Sequence, residues 1–82
     1  EGGAVSLLEI VGSEEGGYHQ KDVQMVLESV LPVLPEREQQ ILKYLFFDNL
    51  SQHEVGELLG ISQMHVSRLQ RRSLRKLREV LE

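Results

Sequence analysis

Apolar residues recur at spacings of three and four along most of this chain, and the runs break at Gly, Pro and turn-forming residues. From Lys21 to Leu31 the periodic set is Val23, Val26, Leu27, Val30 and Leu31, with Asp22 near the start, where it suits the helix dipole. Pro32 ends or kinks that helix, and Pro35 opens the next, because a first turn needs no N–H from it. The second helix is expected from about Glu36 to Phe47, with Ile41, Leu42, Leu45 and Phe46 as its stripe and Asp48-Asn49-Leu50 as the turn that follows. A third helix is expected from Ser51 to Leu59. A fourth starts at Ser62 and can run to Leu81, since no Gly or Pro interrupts it, with Val66, Leu69, Ser73, Leu77 and Val80 as its inner seam. No internal repeat and no strand pattern of weight competes. The predicted class is all-α: a four-helix domain over residues 21–82, with a helix-turn-helix and a long basic C-terminal helix. Residues 1–20 read differently. Two Gly-Gly pairs and Glu14–Glu15 surround the apolar run Val5 to Val11, which fits one short helix or strand, and the expectation for the whole stretch is a mobile linker.

The stretch SQHEVGELLGISQMHVSRL, Ser51 to Leu69, carries the most information. Ser51 and Glu54 form the S-x-x-E capping box that satisfies free N–H groups at a helix start. Val55, Leu58 and Leu59 continue at helical spacing, and Gly56 leaves room for a close neighbour. Gly60 falls where the chain must turn left-handed, Ile61 plugs the turn and Ser62 caps the next helix. With Val66, Leu69 and Ser73 inward, Gln63, Met64, Ser67 and Arg68 face outward on the opening turns, the part of a recognition helix that enters the major groove. A helical hairpin that only packs is the plainer alternative.

Composition narrows the choice. Eighty-two residues make one small domain, which buries only about 60% of its unfolded surface. There is no cysteine, so neither a disulfide nor a cysteine-based zinc site staples the fold, and His19, His53 and His65 lack metal-ligand spacing. No run approaches the ~20 apolar residues of a membrane span, nothing resembles a signal peptide, and a chain that starts at Glu1 without Met is expected to be a piece of a longer protein. The net charge of −4 argues against a polyanion partner until it is divided along the chain. Residues 1–60 carry three basic and eleven acidic side chains, a balance of −8, whereas residues 61–82 carry six basic and two acidic, a balance of +4. The local field decides association more than the total does, and the basic cluster lies on the expected reading helix.

The side chains there suit duplex DNA. Gln63 can pair bidentately with adenine and Arg68 with guanine, Met64 can meet a thymine methyl, and Ser67 is short and adaptable. Arg71, Arg72 and Arg75 lie further along, where the helix leaves the groove and meets phosphates. Ser51 and Gln52 head the third helix, whose N–H groups suit a phosphate, and Arg37 can reach the flanking strand. A solvated face is the usual fate of an arginine run, and an exposed neutral imidazole is the plainer role for His65. Lys76 and Arg78 read as solubilising charges. Elsewhere Leu31, Val33, Leu34, Leu45, Phe46 and Phe47 exceed what two short helices need for each other; most are expected in the core, one or two lining a groove for a partner helix. No phosphate-cradling glycine loop, metal cluster or cysteine nucleophile is present, Glu14–Glu15 sits in the expected linker, and the chain is read as a non-enzyme without cofactor or metal.

LPEREQQILKYLFF followed by LSQHEVGELLGISQMHVSRLQRRSLRKLRE resembles region 4, the C-terminal DNA-binding part, of sigma-70 family sigma factors of bacteria, and most of all the alternative factors of the stress, sporulation and flagellar group. The match covers roughly Asp22 to Glu82, and Val5 to Gly12 with the acidic stretch resembles the tail of the preceding region. The resemblance implies a cytoplasmic protein that takes part in transcription initiation, recognises the promoter minus-35 element and docks on the β-subunit flap of RNA polymerase through an apolar cleft. An anti-sigma protein is a further partner that many such factors have. By the family pattern base contacts fall on Gln63, Met64, Ser67 and Arg68, and phosphate contacts on Arg37, Ser51, Gln52, Arg71 and Arg72. Housekeeping members carry charged residues where this chain has Gln63 and Met64, so a different minus-35 sequence is implied. Two other readings stay open on the sequence: the output domain of a response regulator, which shares the Glu36-Arg37-Glu38 opening, and a purely protein-binding module.

Overall fold

The computed structural model describes residues 3–12 and 20–81. Its order is α1 (Gly3–Gly12), α2 (Gln20–Val30), a single 3₁₀ turn (Leu31–Val33), α3 (Glu36–Phe46), α4 (Gln52–Leu59) and α5 (Gln63–Leu81). All regular structure among the described residues is helical. The prolines act as expected. Pro32 lies inside the 3₁₀ turn that closes α2, and Pro35, with φ −57° and ψ 154°, is the extended residue that introduces α3. The Leu34 N–H closes that turn on the Leu31 carbonyl at 2.9 Å, and Gln39 Nε2 donates to the Leu34 carbonyl at 2.8 Å.

The expectation of a loose linker fails over Gly3–Gly12, which is a helix packed on α5 and α2. Leu8 is fully buried and Val11 nearly so, both inside the cluster that holds Val23, Leu27, Leu74 and Leu77. Burial supplies the cause: a ten-residue helix is marginal in water, and an apolar seat stabilises it. The Glu14–Glu15 pair and His19 lie outside the described residues.

Two cores result. The larger joins α1, α2, the 3₁₀ turn, the far side of α3 and the C-terminal half of α5. The smaller is built on Ile41, Val55 and Val66, flanked by Tyr44, Leu50, Leu59, Ile61 and Leu69. Helix α5 belongs to both. Leu31, Leu34 and Phe46 are buried as expected, Leu45 and Phe47 are half-buried, and Val33 is exposed. Leu31 and Phe47 also line a groove of about 450 Å³ whose rim carries Glu28, Lys43 and Asp48.

The inner seam of α5 needs one change. Val66, Ser73 and Leu77 are buried and Leu69 is half-buried, but Val80 is half exposed and Leu74, absent from the expected seam, is buried. A step of seven residues falls about 20° short of two full turns in a straight helix, so the series 66, 73, 80 rotates out of the core. Leu58 is also turned outward, 60% exposed, because the buried arc of the short helix α4 is covered by Val55, Gly56 and Leu59.

Candidate nucleic-acid interface

Local hydrogen bonds fix the α4–turn–α5 unit. Ser51 Oγ accepts from the Glu54 N–H at 3.1 Å while Glu54 Oε1 accepts from the Ser51 N–H at 2.8 Å, the reciprocal box read from the sequence. Gly60 ends α4 at φ 72° and ψ 32°, a left-handed conformation open to glycine at little cost. The Ile61 N–H then donates back to the Gly56 carbonyl at 2.9 Å, closing the helix by a six-to-one bond. A Cβ on Gly56 would stand 2.7 Å from the Ile61 carbonyl oxygen, so the turn folds onto a position that tolerates no side chain. Ser62 Oγ accepts from the His65 N–H at 3.1 Å and starts α5. The angle between the two helices is thereby set by backbone contacts over Val66 and Val55, both fully buried.

Against this frame Gln63, Met64, His65 and Arg68 are exposed and Ser67 is half-buried at the edge of the packed face. Arg71, Arg72 and Arg75 are exposed as well. Met64, Arg68, Arg71 and Arg75 follow one another at four, three and four residues and so share one stripe, about 17 Å long at 1.5 Å per residue. A major groove is about 12 Å wide. The stripe is therefore longer than such a groove is wide.

The remaining expected positions sit on other elements. Ser51 is exposed at the head of α4 and Arg37 is exposed on the first turn of α3. The Gln52 side chain is engaged elsewhere: Nε2 donates to Gln70 Oε1 at 2.6 Å, tying the first turn of α4 to the middle of α5. Its backbone N–H still stands in the first turn, where helix amides lack intrahelical acceptors. Lys76 is not a mere solubilising charge. It meets the nearly buried Glu38 carboxylate at 3.4 Å and clamps α5 to the start of α3. Sequence reading missed this pair because its members lie 38 residues apart. It likewise missed Gln70, whose spacing from Val66 is the only hint that it faces a neighbour. No group of three or more His, Asp or Glu side chains among the described residues is placed to hold a metal ion.

Residues 30–79 match the family model Sigma-70, region 4. The chain belongs to the sigma-70 region 4 family. This region 4 is 54% identical to the RNA polymerase sigma-B factor of Bacillus subtilis over 81 residues, 99% of the chain and 31% of that protein. It is 44% identical to the RNA polymerase sigma-B factor of Bacillus anthracis over 79 residues, 96% of the chain and 31% of the relative. Identity to the RNA polymerase sigma factor SigF of Mycobacterium tuberculosis is 43% over 79 residues, 96% of the chain and 30% of the relative. The chain thus spans about a third of the length of these relatives. No solved structure matches it significantly. Between the sigma and response-regulator readings, the family match decides for sigma.

Proposed function

We propose that this region 4 reads the minus-35 element of promoters and so helps direct RNA polymerase to its start sites, acting as part of a longer sigma factor in the bacterial cytoplasm. One observation carries the reading: the opening turns of α5 present Gln63, Met64 and Arg68 beyond the packed face, with Ser67 at its edge, while Arg71, Arg72 and Arg75 continue outward behind them. In this reading Gln63 and Arg68 pair with base edges, Met64 and Ser67 fill the space beside a thymine methyl, and Arg71, Arg72 and Arg75 grip phosphates. Arg37, the Ser51 hydroxyl and the Gln52 backbone N–H meet the flanking strand. The module performs no chemistry of its own and takes no cofactor or metal.

The polymerase contact falls on the apolar side of the molecule, where α2, the 3₁₀ turn and the inner face of α5 meet, with the β-subunit flap as the partner element. An anti-sigma protein would compete for the same side. Both assignments rest on the family pattern and on a larger core in which apolar residues of α2, the 3₁₀ turn and the C-terminal half of α5 come together.

Site selection with holoenzyme containing the intact sigma factor tests the DNA reading. Enrichment of one upstream hexamer, lost when Gln63 and Arg68 are both replaced by Ala, is the expected result. Selection of the same sequences by that double variant would overturn it. A salt titration separates a DNA module from a purely protein-binding one, since log K should fall with log salt at about 0.9 per phosphate neutralised.

A further inference from the structure

The seat of α1 identifies a ligand class. Leu8 and Val11 enter a cleft between α2 and the C-terminal half of α5, in one cluster with Val23, Leu27, Leu74 and Leu77. The buried residues of this contact are all apolar, and Leu7 and Leu81 pack against the same cluster. The open groove beside Leu31 and Phe47 is of a different kind, because its rim of Glu28, Lys43 and Asp48 would have to be desolvated under an apolar helix. A cleft that already accepts two turns of an apolar helix in cis has the shape and polarity to accept another in trans. The α1 segment lies outside the matched span 30–79 but inside the 99% of the chain that aligns with the sigma-B factor of Bacillus subtilis. Family membership therefore does not require α1, although similarity extends through it.

We infer that the α2–α5 cleft is a helix-docking surface closed in cis by α1, and that a helix of RNA polymerase binds there only by exchanging with α1. The inference rests on the polymerase contact proposed above. Two properties suit α1 to exchange. It is short, so it holds its helical form through the seat rather than by itself. Its hold is hydrophobic and non-directional, so a longer apolar helix can replace it without leaving buried polar groups unpaired. The free module would then meet the polymerase with its docking face covered. Its apparent affinity is lower than the intrinsic one by the fraction of molecules in which α1 is detached.

The absence of cysteine allows a direct test on the full chain. Glu9→Cys on α1 and Glu79→Cys on α5, both exposed, take a pair of spin labels, and the distance between them is read before and after addition of sigma-free core RNA polymerase from Bacillus subtilis. The expected result is one short distance in the free chain, replaced by longer ones at saturation. In parallel, Leu8→Asp is expected to raise affinity for the core enzyme about tenfold by emptying the seat, and the milder Leu8→Ala to raise it less. Circular dichroism confirms that each variant folds; if Leu8→Asp does not, Leu8→Ala decides. An unchanged label distance in the bound chain, or weaker binding by a folded Leu8 variant, overturns the exchange while leaving the polymerase contact in place. Failure of both the parent chain and the Leu8 variants to bind core enzyme at micromolar concentration removes the contact and the exchange with it.

Discussion

The two ends of α5 are held by different physics. Its C-terminal half lies in the larger cluster, where eleven buried apolar side chains from every helix except α4 meet. Its N-terminal half rests on three buried residues, Ile41, Val55 and Val66, and owes its direction to two serine caps, one left-handed glycine and one carbonyl seated on Gly56. Hydrophobic burial is strong but tolerant of small displacements. Caps and tight turns contribute less stability and dictate geometry more closely. The end proposed to read bases is thus the end fixed by directional bonds, and the end proposed to grip phosphates is the one fixed by burial.

Substitutions separate the two regimes. Leu77→Ala, fully buried in the larger core, should have the largest effect, a loss of about 2–5 kcal/mol of unfolding free energy. Urea titration measures it, and a loss under 1 kcal/mol would mean that the cluster does not carry the fold. Gly56→Ala should cost about 1–3 kcal/mol by forcing the turn off its seat, and should damage DNA binding more than its stability loss accounts for. Anisotropy with cognate duplex, below the melting temperature, checks that excess. Arg68→Ala is expected to cost about 1–3 kcal/mol at the cognate site and relax preference at one base pair. Arg72→Ala should weaken all sequences alike and lower the salt slope by about one. Equal losses on specific and random duplex for both would break the division between base and phosphate contacts. Ser51→Ala removes the capping box for about 1 kcal/mol, read as a lowered melting temperature. Ser73→Ala should be the mildest: its buried Oγ has no hydrogen-bond partner, so removing it leaves stability unchanged or raises it by up to about 1 kcal/mol.

The same division explains what could be read from the chain. Everything encoded within about four residues was legible: the Ser51–Glu54 box, the Gly60 stop, the Ser62 cap, the Pro32 and Pro35 boundaries, and the outward set on the opening turns of α5. What depends on distant partners was not. Helix α1 looked like a linker because its glycine-rich flanks are visible in sequence while the cleft that stabilises it is not. Leu58 and Val80 fit the inward periodicity but face outward, since periodicity does not say how wide the covering surface is. The tie from the Gln52 side chain to Gln70 and the pairing of Lys76 with Glu38 join residues too far apart in the chain for any local pattern to announce them.

The uneven placement of charge has a consequence for how the molecule arrives. Six of the nine basic groups fall in residues 61–82, and Arg68, Arg71, Arg72 and Arg75 are exposed along α5, so positive charge is concentrated on that helix. On the proposed DNA reading, the field of these arginines draws that helix toward a duplex before contact. Added salt should then slow capture more than it hastens release, as expected where orientation precedes contact.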